Sequence, residues 1–396
     1  MKTEVAIAAR EICARSPLST LPGVAATSLR ILDYPIALRD ELQVRETIVG
    51  TPMSHDILSD VLRNVRLRGA AYFYVSGKSS WVAEAPAARD IAAGVMPGSE
   101  HVMAYHVVIR GACWGAVVGE TPVRMTGGDI VLFPQGDAHV MSSAPGMRAP
   151  VTPASYIERR QDQLPFTLHL NATETRIEIV PDELSDATLV CGFLGCDLRP
   201  FNPLIETLPR LMHLRVQQDQ DWVAQFMRQA VVESKNKRPG GEVMLERMSE
   251  MMFIDAVRRH VETLPDASRG WLAGLRDRFV GRALALMHDA PAFPWTVDEL
   301  GRRVGLSRSA LHEHFAELIG HAPMQYLANW RIQLGAALLR NTRDTVALVA
   351  QEVGYESEAT FTKAFKRLTG KSPAVWRRET IGHATRMASQ EISAGG

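Results

Sequence analysis

The sequence predicts an α+β chain in three parts: a β-rich N-terminal domain, a helical middle region and an all-α C-terminal domain. Three observations lead to this. Short runs rich in Val, Ile, Phe and Tyr, separated by Gly and Pro, fill residues 70–195 and predict a small barrel or sandwich. Apolar residues at helical spacing follow over residues 202–290 and predict helices at 202–214, 219–234, 243–264 and 271–289. An internal repeat with a period near 50 residues begins at Trp295.

The composition is that of a globular chain with two or three domains. Of the 396 residues, 46% are hydrophobic and 22% are charged, which is enough apolar material for real cores. We recognise no apolar run of about 18 residues and no secretory signal. Four cysteines are too few for a disulfide framework in a chain of this length. We therefore expect a cytoplasmic protein that does not span a membrane.

The N-terminal segment differs in character from the rest. Residues 1–52 show little periodicity, and prolines punctuate them, whereas MSHDILSDVLRNVRLRG from Met53 predicts an amphipathic helix with Ser54 as its N-cap. Residues 1–52 are therefore either a poorly ordered arm or a segment preceding the natural start at Met53. The predicted division is an extension at 1–52, a β-rich domain at 53–198, a helical region at 199–290, a C-terminal domain at 291–382 and a flexible tail at 383–396.

The internal repeat has the features of two helix-turn-helix units. Its copies are ELGRRVGLSRSALHEHFAELIGHAP and LVAQEVGYESEATFTKAFKRLTGKSP. Each copy predicts a short helix, a glycine at the turn (Gly305 and Gly354) and a serine that caps a second helix (Ser307 and Ser357). The second helix buries two large residues and leaves a polar face for the DNA major groove. The buried pairs are Leu311 with Phe315, and Phe361 with Phe365.

Between the copies, PMQYLANWRIQLGAALLRN opens with Pro323 and predicts one linker helix. Over residues 295–380 the chain resembles the AraC/XylS family of transcription regulators. The resemblance rests on WTVDELGRRVGLSRSALHEHFAELIG, on the linker with YL, Arg331 and ALLR, and on VALVAQEVGYESEATFTKAFKRLTGKSPAVWRR. It implies two recognition helices that enter successive major grooves of double-stranded DNA, with RNA polymerase as a further partner.

On this resemblance, individual residues acquire expected roles. In the first recognition helix the candidate base readers are Ser309, His312 and Glu313. In the second they are Ala359, Thr362 and Lys363. The candidate phosphate contacts are Arg308, Lys366 and Arg367, and the capping residues Ser307 and Ser357 are also expected among the DNA-binding residues. Glu313 can accept from cytosine but repels phosphates, so the first helix is expected to contribute selectivity more than affinity.

The charge distribution agrees with DNA binding without requiring it. The whole chain is neutral, with 44 basic and 44 acidic residues. Residues 295–380 contain 12 Lys and Arg against 9 Asp and Glu, a net charge of +3. A local positive excess attracts phosphates even when the whole chain is neutral.

The tract GDIVLFPQGDAH at residues 128–139 resembles the second motif of cupin barrels, in which the histidine faces the interior. With residues 53–198 and the helical region, it resembles the cupin-type sensor found ahead of some AraC-family DNA-binding domains. Many cupins bind a metal, but the first cupin motif is not recognisable here. His101, His106 and His139 could still converge in a barrel. An interior histidine beside a small-ligand cavity is favoured, so we predict no metal and no cofactor.

An unknown small-molecule effector is expected in this domain. The candidate lining residues are Trp81, His106, Trp114, Phe133 and His139, each of which could instead be simple core. Cys191 and Cys196, with Cys113, are conceivable as a redox switch, although buried apolar roles are favoured. The Met-rich middle helices either pack on the barrel or pair two protomers, and we expect a homodimer.

Two classes of function are compatible with these features. A ligand-responsive DNA-binding regulator explains the repeat and the basic C-terminal region. A cupin metalloenzyme of the dioxygenase or isomerase type, with a helical appendage, explains only GDIVLFPQGDAH and lacks a ligand set. We also find no phosphate-binding loop, no nucleophile elbow and no metalloprotease histidine pair. The sequence therefore predicts a regulator that is not an enzyme.

Overall fold

The structure is a computed structural model. It describes residues 55–149, 167–170, 175–178, 185–215 and 239–380, with positions 222, 225 and 229 between them. By its internal contacts the chain divides into units 1–53 and 54–396, and the second contains all the described residues. The predicted extension, its boundary at Met53, the Ser54 cap and the tail lie outside those residues.

The N-terminal domain contains two sheets. Its strands are β1 (Arg68–Gly77), β2 (Val82–Ala85), β3 (His101–Arg110), β4 (Ala112–Val117), β5 (Val123–Thr126), β6 (Ile130–Phe133), β7 (His139–Ser142), β8 (Thr167–Leu170), β9 (Thr175–Glu178), β10 (Ala187–Cys196) and β11 (Met212–Leu214). One sheet has seven strands in the order β11-β6-β3-β10-β1-β8-β9, and the other has four in the order β2-β7-β4-β5. Every described pairing is antiparallel except that of β1 with β8.

The two sheets enclose an apolar core, which we call the sheet core. It joins side chains of the larger sheet, such as Val108 and Leu189, to side chains of the smaller one, such as Met125 and Met141. All four are nearly inaccessible to solvent. Because side chains alternate along a strand, the odd-numbered residues of β4 and β7 point into this core.

One helix precedes β1, one lies between β2 and β3, and the others belong to the C-terminal half of the chain. The helices are α1 (Ile57–Asn64), α2 (Ala88–Val95), α3 (Pro203–Thr207), α4 (Gly241–Thr263), α5 (Trp271–Arg276), α6 (Val280–Asp289), α7 (Val297–Val304), α8 (Arg308–Ile319), α9 (Pro323–Asn341), α10 (Val346–Glu352) and α11 (Glu358–Thr369), followed by a helical segment at 373–380. No helix within the described ranges has the length and apolar character needed to cross a bilayer.

The first helix and the middle region differ from the sequence prediction. The N-cap of α1 is Asp56, whose carboxylate accepts a hydrogen bond from the backbone N–H of Ser59. The predicted helix over 202–214 is present only as α3. Pro209 cannot continue a helix, and the following residues instead form β11, which pairs with β6.

The segment 271–289 forms two helices rather than the single one predicted. The carboxylate of Asp277 accepts hydrogen bonds from the backbone N–H groups of Phe279 and Val280. These contacts satisfy the free donors at the start of α6. The predicted helix is therefore interrupted at Asp277, whose carboxylate caps the start of α6.

The long helix α4 lies across β1. Gly69 permits the close approach, because a Cβ atom there would lie 2.4 Å from the backbone oxygen of Glu246. Met248 and Met252 are buried on the inner face, whereas Met244 and Met251 are exposed on the other. One Met-rich face therefore packs on the N-terminal domain, which is one of the two alternatives left open by the sequence, and a second faces solvent.

The C-terminal helices pack in two cores. The first, the shared core, contains side chains of α1, α4 and α6 together with α7, α8 and the N-terminal half of α9. The second, the second-unit core, contains side chains of the C-terminal half of α9, of α10 and α11, and Trp376. The predicted linker helix is present with the predicted bounds, and it takes part in both cores.

Candidate nucleic-acid interface and sensor site

The first helix-turn-helix unit consists of α7 and α8. Leu300 and Val304 of α7 are buried, and Gly305 follows with a φ angle of +84° that disfavours any residue with a side chain. Ser307 caps α8 by accepting a hydrogen bond of 3.2 Å from the backbone N–H of Ala310. Leu311 and Phe315 of α8 are fully buried, as the pattern predicted.

The second unit repeats this arrangement in α10 and α11. Gly354 has a φ angle of +85°, and Ser357 caps α11 through a 3.3 Å hydrogen bond from the backbone N–H of Thr360. Phe361 and Phe365 are fully buried. Gly335 of α9 allows the ring of Phe361 to approach, since a Cβ atom there would lie 2.8 Å from it.

The structure places the predicted DNA-facing residues on the outer side of α8 and α11. The exposed ones are Ser307, Arg308, Ser309, His312, Glu313, Ser357, Ala359, Lys363, Lys366 and Arg367, and Thr362 is half-buried. The hydroxyls of Ser307 and Ser357 are already engaged as caps. These two serines therefore have a structural task that is independent of DNA.

The two units differ in how their cations are paired. In the first unit, Glu299 binds both Arg302 and Arg303 at 2.7 Å, and these two arginines lower the pKa of the Glu299 carboxyl. Arg308 lies 3.5 Å from Asp298. In the second unit, none of the cations on α11 forms an ion pair with any residue that the structure describes. These cations are Lys363, Lys366 and Arg367.

Between the sheets of the N-terminal domain, a chain of hydrogen bonds crosses the core. His106 on β3 and His139 on β7 face each other with their Nε2 atoms 2.8 Å apart. Nδ1 of His106 lies 2.8 Å from the Cys191 thiol on β10. Nδ1 of His139 lies 3.0 Å from the backbone carbonyl of Asp137. We call these four groups the His–Cys relay.

The Asp137 carbonyl fixes the direction of the relay. A carbonyl can only accept, so Nδ1 of His139 carries a hydrogen and Nε2 of the neutral ring is an acceptor. Nε2 of His106 then donates to it, which leaves Nδ1 of His106 to accept from the Cys191 thiol. Every polar atom in the relay is satisfied while all three side chains stay neutral.

Burial maintains this neutrality. It lowers the pKa of His106 well below the usual value, and the neighbouring His139 adds to that shift. It lowers the pKa of His139 to about 4. It also raises the pKa of the Cys191 thiol well above the usual value. Because the thiolate is the reactive form of cysteine, this thiol is chemically quiet at neutral pH.

The histidines do not fit a metal centre. Nε2 of His101 bonds to the backbone carbonyl of Pro134 at 2.6 Å, so His101 does not join His106 and His139. In the described ranges no cluster of three or more His, Cys, Asp or Glu side chains is arranged to hold a metal ion. Two imidazoles fall short of the three or four ligands that transition metals require. The expectation that the three histidines could converge is wrong.

The three described cysteines suit the core. Cys191 belongs to the sheet core and Cys196 to the shared core, because residues at odd spacing on β10 point to opposite faces. A disulfide between them is therefore excluded. Burial raises the pKa of Cys113 and of Cys196 to about 12 in each case. These thiols act as small apolar side chains.

The predicted effector-pocket residues separate into two places. Phe133 stacks on His139 with ring centroids 4.0 Å apart and lies near His106 in the core. Trp81 is buried in the same core. Trp114 instead points to the outer face of the smaller sheet, where it lines a cavity of about 320 Å³ with Val140 and Arg148.

Sequence reasoning missed the contacts that join the two halves of the molecule. His288 of α6 stacks on Trp330 and bonds to the Tyr326 hydroxyl at 2.9 Å. The other ring nitrogen of His288 lies 3.4 Å from Asp60 of α1. No sequence motif marks this cluster, although its residues bridge the N-terminal domain and the linker helix.

Two capped helix-turn-helix units on one linker helix, with polar outer faces, define a DNA-binding protein. The profile of the family described as "Helix-turn-helix domain" matches residues 300–379. The profile of the family described as "Cupin" matches residues 56–262, more than half of the chain.

Named transcription regulators are similar to this chain. An AraC-like transcription regulator of Streptomyces lividans is 29% identical over 325 residues, covering 82% of this chain and 98% of that protein. The regulator AlkR of Acinetobacter baylyi is 26% identical over 328 residues, covering 82% of this chain and 100% of that protein. The DNA-binding domain of AdpA, solved with a target DNA, is 28% identical and covers 26% of this chain and 92% of that chain, with a TM-score of 0.25.

The chain belongs to the AraC-type transcription regulators that carry an N-terminal cupin domain. It is therefore a DNA-binding regulator and not an enzyme, and the alternative of a cupin metalloenzyme is not favoured.

Proposed function

We propose that this regulator reads two successive major grooves of double-stranded DNA and that a small molecule held by the cupin domain controls the reading. The observation that carries the proposal is the shared core, in which α1 and α4 of the N-terminal half are connected to α7 and α8 through the side chains of α5, α6 and α9. A change in the packing of the cupin domain therefore reaches the first recognition helix through contiguous side chains. The effector acts by binding one arrangement better than another.

In this proposal α8 and α11 are the recognition helices. The base readers are Ser309, His312 and Glu313 in the first unit and Ala359, Thr362 and Lys363 in the second. The phosphate contacts are Arg308, Lys366 and Arg367, which set the register of the protein on DNA. All of these residues except the half-buried Thr362 are exposed in the free protein, which supports the assignment.

We propose that the effector occupies the cavity beside Trp114. Its volume of about 320 Å³ lies at the small end of the range for sites that hold organic molecules. The wall combines the indole of Trp114 with the guanidinium of Arg148, which also binds Glu84 at 2.6 Å. An apolar molecule with one polar group fits this chemistry. His139 reaches the other side of the same sheet, so an occupied cavity would press on the His–Cys relay.

The proposal also covers the shape of the sensor domain, the pairing of two chains and the cellular location. The two sheets act as the walls of a cupin-type barrel, and every strand except β11 comes from the predicted domain at 53–198. The exposed Met244 and Met251 on α4 pair two copies of the chain into a dimer, which places two DNA-binding domains on repeated half-sites. We further propose a cytoplasmic protein that contacts RNA polymerase from the DNA-bound state.

The DNA-reading part is tested by selecting bound fragments from a random DNA library with the full chain at fixed salt. Enrichment of one sequence is expected, and the Lys363→Ala variant should bind it at least about tenfold more weakly. Lys371→Ala is the matched control, because Lys371 is a cation of the same domain that pairs with Glu379 and lies outside α11. Equal loss in both variants would contradict the role of Lys363.

The effector part is tested with the operator from that selection. Trp114→Ala is expected to abolish the response to whichever small molecule shifts DNA binding of the wild-type chain. Trp81→Phe, a substitution in the core, is the comparison variant and should keep the response. Loss of the response in Trp81→Phe but not in Trp114→Ala would place the effector inside the sheet core.

A further inference from the structure

We propose that five residues form a polar latch that positions the second helix-turn-helix unit relative to the rest of the molecule and so sets the spacing of the DNA sites it accepts. The five residues are Asn64, Arg66, Asp197, Gln333 and Arg340, and we call them the α9 latch. The DNA readout rests on the proposed two-groove function, whereas the latch itself is a structural claim that can be measured without DNA.

Gln333 is the first part of the latch. Its side chain is 2% exposed, and both ends of its amide bind backbone groups of the N-terminal half. The amide oxygen accepts from the N–H of Phe201 at 3.0 Å, and the amide nitrogen donates to the carbonyl of Asn64 at 2.9 Å. A buried amide satisfied in both directions has one orientation, so Gln333 fixes the rotation of α9 about its axis.

Asp197, at the end of β10, is the second part. Its carboxylate accepts two hydrogen bonds of 2.6 Å from the guanidinium of Arg66 and one of 2.8 Å from Arg340 of α9. Asp197 and Arg340 are nearly buried, with side chains 5% and 11% exposed. One carboxylate thus ties the last turn of the linker helix to the N-terminal domain.

Arg66 lies where the chain turns from α1 into β1. It follows Val65, the C-cap of α1, and has a φ angle of +47°, the left-handed conformation that commonly ends a helix. From this turn its guanidinium reaches Asp197.

The latch acts on the part of α9 that belongs to the second unit. Tyr326 and Trp330 in the N-terminal half of α9 lie in the shared core. Ala336 and Leu339 in the C-terminal half lie in the second-unit core. Arg340 lies in that C-terminal half, and Gln333 lies at the transition between the two halves. Both bind the N-terminal half, so polar contacts join the C-terminal half of α9 to it. They add to the packing of Leu334 against both cores and to the close approach of Gly354 to the backbone of Ala292.

The consequence is a fixed spacing between the two recognition helices. Two units held rigidly can bind only DNA whose two blocks have the matching separation and helical phase. One added base pair rotates the second block by about 36°, because a helical turn takes about ten base pairs. A chain with the latch open would accommodate that rotation by bending within the linker, and would discriminate less between spacings.

The test compares binding to the selected operator with binding to the same operator carrying one inserted base pair between its blocks. The variants are Gln333→Met and Arg340→Met, which keep side-chain bulk and remove the polar contacts. The wild-type chain is expected to lose at least about tenfold in affinity on insertion, and each variant less than about threefold. Arg340→Lys keeps the charge and should restore most of the discrimination.

Hydrogen exchange provides a second readout that needs no DNA. Amides in the C-terminal half of α9, in α10 and in α11 are expected to exchange faster in Arg340→Met, while those in α7 and α8 keep wild-type rates. Faster exchange without DNA binding would support the latch and contradict the proposed function. Wild-type exchange rates, or undiminished spacing discrimination in both Met variants, would overturn the latch.

Discussion

The two helix-turn-helix units share a pattern but differ in what holds them. Leu311 and Phe315 of the first unit lie in a core that continues into α1 and α4 of the N-terminal half. Phe361 and Phe365 of the second unit lie in a separate core closed by Trp376. The same sequence pattern therefore occurs in two different packing environments. The core of the first unit is continuous with the cupin domain. The second unit has its own core on α9 and also contacts the loop before α7 through Gly354 and Ala292.

The two units also differ in the charges that they expose. Arg302 and Arg303 of the first unit are tied to Glu299, and its recognition helix exposes Glu313. The recognition helix of the second unit exposes Lys363 and Lys366, neither paired with an acid in the described part of the chain. Free cations contribute most of the salt-dependent affinity for DNA. We therefore expect the second unit to supply affinity and the first to supply selectivity and control.

We expect the largest effects from substitutions that disrupt the shared core and the second-unit core separately. Phe315→Ala and Phe361→Ala each remove a fully buried ring and should cost about 3–5 kcal/mol of local stability. Phe315→Ala is expected to lower the midpoint of the main thermal transition, because its core includes the N-terminal half. Phe361→Ala should instead produce a separate early transition of the second unit, visible by calorimetry.

The pair of variants is its own control, since the same side chain is removed at corresponding positions. A single transition shifted equally in both variants would show one cooperative body and would contradict the comparison.

Acidification should weaken the N-terminal domain and spare the second unit. Burial lowers the pKa of His139 from 6.5 to about 4, so between these values the unfolded chain binds a proton that the folded chain does not. The contribution of His139 to the free energy of unfolding is fully present above about pH 6.5. It falls by up to about 3 kcal/mol as the pH drops toward about 4. Urea unfolding at pH 7.5, 6 and 5 measures this loss.

The variant His139→Gln should reduce the pH dependence of the N-terminal transition and leave the part that is due to His106, whose pKa burial also lowers. The same substitution at the exposed His312 is the matched control. A wild-type pH slope in His139→Gln would show that other groups cause the loss.

The salt dependence of DNA affinity distinguishes the phosphate contacts of the two recognition helices. Lys366→Ala is expected to reduce the slope of log affinity against log salt concentration by about one unit, the value for one lost phosphate contact. Arg308→Ala should reduce it by less, because Arg308 already lies 3.5 Å from Asp298. Titrations of the selected operator at four salt concentrations give both slopes. A larger slope change for Arg308 would reverse the assignment of affinity to the second unit.

The smallest expected effect concerns the caps. Ser307→Ala and Ser357→Ala each remove a hydrogen bond to a free helix donor and should cost about 1 kcal/mol. Ser357→Ala is expected to shift only the transition of the second unit, and Ser307→Ala only the main one. Ser→Asp at each position preserves the cap and is the control. No separation between the two transitions would contradict the independence of the second unit.

The sequence predicted the C-terminal helices well because their signals are local. Gly305 and Gly354 at left-handed turns, Ser307 as a cap and Pro323 at a helix start each act within one turn of chain. The linker helix was predicted to the residue for the same reason. The break at Asp277 was missed because a carboxylate that caps its own chain is indistinguishable in sequence from an exposed acid.

The contacts between distant segments could not be predicted. His106 and His139 were candidates for one pocket, but Cys191 joins them through strand pairing that no local pattern encodes. Trp114 was assigned to the same pocket, and one position of strand alternation places it on the opposite face. Gln333 and Arg340 look like ordinary polar residues of a helix, and only their partners across the interface give them a role.

Footprinting of the full chain on its selected operator, at fixed moderate salt, shows whether the two units bind DNA with separate tasks. Two blocks in successive major grooves, about ten base pairs apart, are expected to be protected, and the block under α11 should weaken first when Lys363 is replaced by Ala. Protection of a single block, with equal weakening by Lys363→Ala and by His312→Ala, would show that the two units do not have separate tasks.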